Sequence, residues 1–180
     1  MRTAYIALGA NLPSWAGPPA ATLCAAAKRL EEIGQLTARS SLFSTEPVGF
    51  ADQPRFVNAV VTLKTDLDPH TLLKELLAIE RAFGRDRLNE IQNGPRSLDL
   101  DILLMDDLEI HEAGLELPHP RLSERAFVLV PLHEIAPDLR IAGRGKTVAE
   151  LLQALHQSQT GEANAVVRME SDQWRAAAQS

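Results

Sequence analysis

The sequence predicts an α+β fold, and three observations support it. Side chains alternate between two faces with a period of two in residues 56–65 and 98–102, which is typical of strands. Two other segments repeat apolar residues at helical spacing, with proline at the start and glycine at the end. The predicted order, β-α-β-β-α-β, is the split unit of the ferredoxin-like fold, and additional C-terminal helices follow it.

The first half of this core comes from residues 3–44. A strand is predicted over Thr3 to Leu8 and is followed by a turn rich in glycine and proline. A helix is predicted over Pro19 to Ile33, because two prolines open it and Gly34 stops it. The next apolar segment, Leu36 to Ser44, is interpreted as a second strand.

The second half repeats the pattern. A strand is predicted over Phe56 to Thr65. Asp68 is placed to cap a helix that Pro69 begins and Gly84 ends. After a loop that contains several arginines, the last core strand is predicted over Leu98 to Met105.

Two helices are predicted after the core, over Ser123 to His133 and Thr147 to about Gln157. The second opens with a capping box, Thr147 to Glu150. Residues 1–160 are therefore expected to form one domain. Residues 161–180 are expected to be a polar, alanine-rich tail, to which no role is assigned, with one apolar patch at Ala165 to Met169.

The composition and net charge argue against several kinds of partner and location. The 180 residues carry a formal net charge of -6, which argues against nucleic acid or an anionic membrane as the main partner. No segment approaches the ~18 apolar residues of a membrane span. The only cysteine, Cys24, cannot form an internal disulfide, so we expect a soluble protein in the reducing cytoplasm. The sequence identifies no protein partner.

Two carboxylates interrupt the last apolar strand. With the two-residue period of a strand, Asp99 and Asp101 lie on one face, and Leu98, Leu100 and Ile102 on the other. Neighbouring carboxylates repel each other and need cations, and Mg²⁺ is commonly held by few carboxylates together with phosphate oxygens. The alternative is an edge strand with a solvated polar face.

Arginines crowd around this strand. Four of them lie within sixteen residues, and two more follow beside His119: Arg81, Arg85, Arg87, Arg96, Arg121 and Arg125. Guanidinium groups match phosphate oxygens in a bidentate geometry. Each arginine could instead pair with an acidic residue such as Glu80 or Glu90 at the surface. Together with the two aspartates, the cluster indicates a polyphosphate and its metal ions.

Four groups of residues occur in order between Ala4 and Leu139. They are Gly9-x-Asn11; Thr45-x-Pro47-x-Gly49 with Asp52-Gln53-Pro54-x-Phe56-x-Asn58; Gly94-Pro95-Arg96-Ser97-Leu98-Asp99-Leu100-Asp101; and Pro118-His119-Pro120-Arg121 through Arg125-x-Phe127. In these motifs the chain resembles the 6-hydroxymethyl-7,8-dihydropterin pyrophosphokinase family of the folate pathway. The resemblance implies a ferredoxin-like α+β fold, ATP as co-substrate and two Mg²⁺ ions. It also implies transfer of diphosphate from ATP to the pterin hydroxymethyl group, with release of AMP.

The resemblance also implies roles for individual residues. Asp99 and Asp101 would hold both magnesium ions. The catalytic set would be Arg85, Arg96, Asp99 and Asp101. The residues near ATP would be Leu73, Glu80, Arg87, Ile102, His119 and Arg125. The pterin would be bound at its edge and between two rings by Thr45, the backbone of Val48, Phe56, Asn58 and Phe127.

Two loops, Thr45 to Gln53 and Arg85 to Asn93, would close over the substrates, with Arg85 and Arg87 on the family's mobile catalytic loop. The sequence departs from the family in two places: Ala10 replaces a frequent serine, and Asn93 stands where some members carry a tryptophan. Two other functions stay open at this stage, a non-catalytic module that senses a nucleotide or metal and a kinase that releases ADP. The proton acceptor, an aspartate or water, is not identified.

Overall fold

A computed structural model describes residues 1–49, 52–87, 93–158 and 166–176, and the side chains of 175 and 176 are not described. Within these residues there are eight strands: β1 (Arg2–Ala10), β2 (Gln35–Arg39), β3 (Leu42–Thr45), β4 (Phe56–Thr65), β5 (Asp99–Met105), β6 (Ile110–Glu112), β7 (Leu115–Leu117) and β8 (Val167–Met169). The helices are α1 (Pro19–Leu30), α2 (Pro69–Ala82), α3 (Ala126–Ile135), α4 (Val148–Gln157) and α5 (Asp172–Ala176). A short 3₁₀ turn, Leu122–Glu124, precedes α3.

In the part of the chain that the structure describes, the main sheet has six strands and is antiparallel. Its strands run in the order β5-β1-β4-β3-β8, and β2 pairs with β4 beside β3. Near the end of β1, Gly9 lies opposite Asn58 on one side and Asp99 on the other. The register therefore brings the carboxylate strand and the Asn58 strand to one end of the sheet. The prediction of an α+β protein is confirmed at the level of an antiparallel sheet packed with helices.

Helices cover both faces of the sheet. On one face, α1 and α2 bury Leu23 and Leu72 against Ile6 and Leu100 in the larger core. On the other face, α3 and α4 pack in a second core, with members that include Val60, Leu103, Leu129 and Val148. The start of α2 is fixed as predicted, because Asp68 Oδ1 accepts hydrogen bonds from the backbone N–H groups of His70 (3.0 Å) and Thr71 (3.1 Å).

Three predicted elements differ from the observed ones by more than two residues. The segment predicted as one strand, Leu36 to Ser44, is two strands, because the Ser41 N–H donates to Glu134 Oε2 (2.7 Å) and leaves the ladder. The helix predicted over Ser123 to His133 starts later, since Arg125 has an extended backbone, and α1 ends at Leu30 rather than Ile33. The β6–β7 hairpin was not predicted.

The C-terminal residues join the main sheet. Val167–Met169 form β8 beside β3, and Trp174 is buried in the larger core. Ala165, the first residue of the predicted apolar patch, lies outside the described residues. The division into a domain at 1–160 and a tail at 161–180 stays a prediction. Among the helices that the structure describes, none is long and apolar enough to cross a membrane.

Candidate functional site

A cleft of about 290 Å³ opens at the end of the sheet where β1, β4 and β5 meet α3. It is lined by twelve of the fifteen residues to which the sequence assigned a functional role. These are Thr45, Val48, Phe56, Asn58, Arg85, Arg87, Arg96, Asp99, Asp101, His119, Arg125 and Phe127. The cleft therefore combines the predicted phosphate, metal and ring-binding groups in one cavity.

Of the two strand carboxylates, Asp99 has the closer cationic partners. Its Oδ1 accepts a short hydrogen bond from Arg85 Nη1, and its Oδ2 lies 3.0 Å from Arg96 Nη1. Burial raises the pKa of Asp99, but the guanidinium groups of Arg96 and Arg85 outweigh burial, and the pKa lies below its usual value. Asp99 is therefore ionised at neutral pH.

Asp101 occupies a different electrostatic environment. Its nearest cation is Arg125, with Nη1 at 4.0 Å from Oδ2. Burial and the negative charge of Asp99 raise the pKa of Asp101 to about 7. The positive charge near the pair is therefore concentrated at Asp99, and Asp101 is only weakly compensated.

This charge imbalance fits a divalent cation. Two carboxylates on one strand face supply hard oxygen ligands, and a cation would relieve their repulsion. Within the parts of the chain that the structure describes, no cluster of three or more His, Cys, Asp or Glu side chains could hold a metal. A cation at Asp99 and Asp101 would need further oxygen ligands from a substrate or water, which is usual for Mg²⁺.

Glu80 lies outside the cleft and forms ion pairs with two arginines that line it. The side chain is 1% exposed, and its Oε1 accepts from Arg85 Nη1 (2.8 Å) and from the Leu100 N–H (2.8 Å). Arg87 forms a bidentate pair with the same carboxylate, through Nε (3.0 Å) and Nη2 (2.8 Å). Glu80, predicted near the nucleoside, is therefore placed to position Arg85 and Arg87.

Two other residues predicted near the nucleoside also lie outside the cleft. Ile102 is 5% exposed and belongs to the larger core, on the face of β5 opposite Asp99 and Asp101. Leu73 packs at the edge of the same core. Their proximity to a nucleoside stays a prediction.

The structure fixes the tautomer of His119. Its ring Nδ1 accepts a hydrogen bond from the backbone N–H of Arg121 (3.1 Å), while the backbone N–H of His119 donates to the Leu103 carbonyl (2.7 Å). Burial and the charge of Arg125 lower the pKa of His119 to about 4. At neutral pH the ring is uncharged and presents an Nε2–H donor.

His119 should make the protein sensitive to acid. Between its ordinary pKa of 6.5 and about 4, the unfolded chain binds a proton that the folded chain does not. The free energy of unfolding should therefore fall as pH falls through this window, by at most about 1.4 kcal/mol per pH unit. We expect His119→Gln to flatten this slope in urea titrations from pH 7 to 4. The exposed His156→Gln is the control, and an unchanged slope in His119→Gln would contradict the prediction.

The end of the cleft that holds the predicted ring-binding residues contains a buried amide. Asn58 Nδ2 donates to Thr45 Oγ1 (2.7 Å), and both residues are buried. A Cβ at Gly9 would lie 2.9 Å from Asn58 Oδ1, so glycine is needed opposite the amide. The pair presents donor and acceptor groups where β3 and β4 meet the cleft.

Two phenylalanines border this amide, and each lies beside an arginine. The guanidinium of Arg96 is 5.5 Å from the Phe56 ring centroid, and that of Arg125 is 5.5 Å from the Phe127 centroid. The same two arginines also face Asp99 and Asp101. Each arginine therefore lies between a carboxylate and an aromatic ring.

Sequence reasoning missed the role of Asn11, although it noted Gly9-x-Asn11. The Asn11 amide is buried, and its Nδ2 donates to Gln53 Oε1 (2.9 Å) and to the Pro54 carbonyl (3.0 Å). Its Oδ1 accepts from the Arg96 N–H (2.8 Å). The signal in the sequence was an asparagine in the turn after β1, since asparagine and aspartate side chains often bond to the backbone in turns.

The two predicted closing loops are described only in part. Residues 50–51 and 88–92 lie outside the described residues. Within the described part, Gln53 Nε2 donates to the Asn93 carbonyl (2.9 Å). Gly49 packs against the Asn93 side chain. Asn93 thus contacts the first loop, but closure of the loops stays a prediction.

Comparisons with known proteins identify the family. Residues 5–137 match the family model of 7,8-dihydro-6-hydroxymethylpterin-pyrophosphokinase (HPPK). The chain is 44% identical to a 2-amino-4-hydroxy-6-hydroxymethyldihydropteridine pyrophosphokinase of Methylorubrum extorquens, over 88% of this chain and 96% of that protein. It is 45% identical to the protein of the same name from Pseudomonas aeruginosa, over 83% of this chain and 90% of that protein.

Solved structures support the fold independently. The crystal structure of Plasmodium falciparum HPPK-DHPS wild type with pteroate matches with a TM-score of 0.68 and 16% identity, over 89% of this chain. The match covers 43% of the Plasmodium chain, so this chain spans less than half of that protein. The matched motifs, the family model and the curated relatives together lead to one conclusion: the chain belongs to the 7,8-dihydro-6-hydroxymethylpterin-pyrophosphokinase family.

Proposed function

We propose that the protein transfers diphosphate from ATP to the hydroxymethyl group of 6-hydroxymethyl-7,8-dihydropterin and releases AMP, a step of folate biosynthesis. The observation that carries this proposal is the composition of the cleft. A carboxylate pair flanked by arginines lies beside a buried amide and two phenylalanines. A nucleotide sensor would need no second pocket of this kind, because an amide edge between aromatic rings suits a flat heterocycle.

Asp99 and Asp101 would hold two Mg²⁺ ions, as the family resemblance implies. Bound there, the ions would neutralise charge on the transferred phosphates. Arg96 supports a phosphate site beside them, because its buried Nε has no hydrogen-bond partner among the described residues. A phosphate oxygen would satisfy this donor.

The chain's contribution to the reaction is orientation and charge stabilisation. The pterin hydroxyl oxygen forms a bond to the β-phosphorus, while the bond from this phosphorus to the α,β-bridging oxygen breaks and AMP leaves with that oxygen. The hydroxyl proton passes to an aspartate or to water. Arg85, Arg96 and Arg125 stabilise charge on the phosphates, and neutral His119 donates Nε2–H to ATP. Arg87 contacts ATP from the edge of the cleft.

The order of the strands supports a ferredoxin-like topology. Counting β2 and β3 together as a single interrupted second strand, the sheet order β5-β1-β4-β3 is fourth, first, third, second. Every pairing in it is antiparallel. This is the arrangement that a split β-α-β unit produces. We place the enzyme in the cytoplasm, where ATP and reduced pterins are available.

Identification of the nucleotide product tests the function. The purified protein is incubated with ATP, Mg²⁺ and 6-hydroxymethyl-7,8-dihydropterin, and the products are followed by ³¹P NMR. We expect AMP and the pterin diphosphate in equal amounts, formed only when the pterin is present. Formation of ADP would indicate an ordinary kinase. Absence of any turnover with both ligands bound would indicate a sensor.

Asn58→Ala should weaken pterin binding and leave ATP binding nearly unchanged. The substitution removes the amide that faces the cleft beside Thr45, and losing such a contact costs on the order of 1–3 kcal/mol, or about 5- to 150-fold in affinity. Separate calorimetric titrations of each ligand measure this. Equal losses for both ligands would mean a general structural defect instead.

A further inference from the structure

The C-terminal segment, residues 166–174, holds the strand that carries Thr45. In β8, Met169, Arg168 and Val167 pair with Leu42, Phe43 and Ser44 of β3. The other edge of β3 pairs with β4, where Thr45 lies opposite Phe56. The C-terminal segment thus secures β3 up to the residue before Thr45.

Trp174 anchors the same segment at the interruption between β2 and β3. Its ring is 4% exposed, and its Nε1–H donates to the Ser40 carbonyl at 2.7 Å. The Arg39 guanidinium lies 5.5 Å from the ring centroid. A buried indole therefore fixes the backbone where β3 begins.

A third contact joins this region to α3. Glu134 accepts hydrogen bonds from the N–H and the Oγ of Ser41, both at 2.7 Å, and its Oε1 lies 3.6 Å from Arg168 Nη2. Phe127 lies near the start of the same helix. Glu134 therefore links the C-terminal segment and β3 to α3, the helix that carries Phe127.

We propose that the C-terminal segment is a positioning element for the pterin subsite. It acts through β3, because a four-residue strand held on one edge only would have few hydrogen bonds to keep its register. Thr45 must stay within 2.7 Å of Asn58 for the buried amide to keep its orientation. Trp174, about 130 residues away along the chain, thereby sets the geometry of the pterin edge. This proposal rests on the proposed function.

Trp174→Ala in the full chain tests the proposal. 6-Hydroxymethyl-7,8-dihydropterin is titrated into protein that holds Mg²⁺ and α,β-methylene-ATP, an analogue that cannot transfer diphosphate. We expect the Kd of the pterin to rise about tenfold and the Kd of the analogue to change less than about twofold, by analogy with other displaced binding groups. Amide hydrogen exchange in residues 42–45 should become faster. Trp174→Phe keeps an aromatic ring but loses the hydrogen bond to Ser40, so it should give an intermediate pterin Kd. This variant remains informative if Trp174→Ala does not fold.

Val148→Ala is the control for loss of stability. Val148 is fully buried at the start of α4, in the second core and outside the cleft. It should lower the melting temperature without changing the Kd of the pterin. An unchanged pterin Kd in both Trp174 variants, or an equal loss for pterin and nucleotide, would overturn the positioning role. If the wild-type protein itself bound no pterin, the proposed function would fail first, so the two failures are distinguishable.

Discussion

Asp101→Asn is expected to slow diphosphate transfer by about 10²-fold or more and, at the same time, to stabilise the metal-free protein at pH 8. The rate falls because one of the two carboxylates that would bind Mg²⁺ loses its charge. The fold should survive, because Asp101 lies on the face of β5 that borders the cleft, while Leu100 and Ile102 pack in the core. Single-turnover measurements at saturating Mg²⁺ test the rate, and a near-normal rate would contradict the metal role.

The gain in stability follows from the raised pKa of Asp101. In the folded protein this pKa is about 7, against an ordinary value of 3.8, so the folded state keeps a proton between those values that the unfolded state has lost. Stability therefore falls as pH rises through this window, and asparagine avoids the loss. The side chain is 34% exposed, so we expect a gain of only about 1 kcal/mol, or about 2–4 °C in Tm.

Thermal unfolding with a chelator at pH 5 and pH 8 measures this effect. The advantage of Asp101→Asn should be larger at pH 8 than at pH 5, because the window from 3.8 to about 7 is only partly crossed at pH 5. Asp107→Asn, which removes the same charge from an exposed turn, should shift Tm equally at both values. A lower Tm for Asp101→Asn at pH 8 would show that the carboxylate is not destabilising in the folded state.

Arg85→Ala should lower both the rate and the stability. Arg85 is 4% exposed in its side chain and contacts Glu80, Asp99 and the Leu98 carbonyl. Without Arg85, the buried Glu80 carboxylate loses its most buried cationic partner while Asp99 stays nearby. Leaving a buried charge unpaired in this way typically lowers the free energy of unfolding by about 3–5 kcal/mol. Loss of a charge-stabilising donor should also reduce single-turnover transfer by about 10²-fold.

Arg87→Ala separates these two effects. Arg87 binds the same Glu80 carboxylate, but its side chain is 50% exposed and it makes no contact with Asp99 among the described residues. Its loss should cost about 1 kcal/mol or less in stability. Urea unfolding of both variants gives the comparison. Equal destabilisation by the two substitutions would mean that burial of Arg85 does not determine its contribution.

The sequence predicted the parts of the site that depend on local pattern. Alternation along β5 was enough to put Asp99 and Asp101 on one face, and the Asp68 cap was readable from two neighbouring residues. The position of Glu80 was not predictable in this way, because its partners come from a loop and from β5. The placement of Arg85 on a mobile loop gave no indication of its buried partners either. In the structure Arg85 pairs with Glu80 and Asp99.

Long-range contacts explain what the sequence missed in the fold. The break at Ser40 and Ser41 depends on Glu134 and Trp174, which are 93 and 134 residues away in the chain. No local pattern could indicate it. The β6–β7 hairpin has strands of three residues each, too short for a periodic signal.

The Asn11 amide has a thermodynamic consequence. One side chain joins Gln53 and Pro54, next to the ring pocket, to the backbone of Arg96, next to the phosphate site. A substrate that restrains either segment would restrain the other through this amide and so reduce the entropy lost when the second substrate binds, which is a basis for positive cooperativity. Such coupling is reciprocal: whatever factor the nucleotide adds to the affinity for the pterin, the pterin adds to the affinity for the nucleotide.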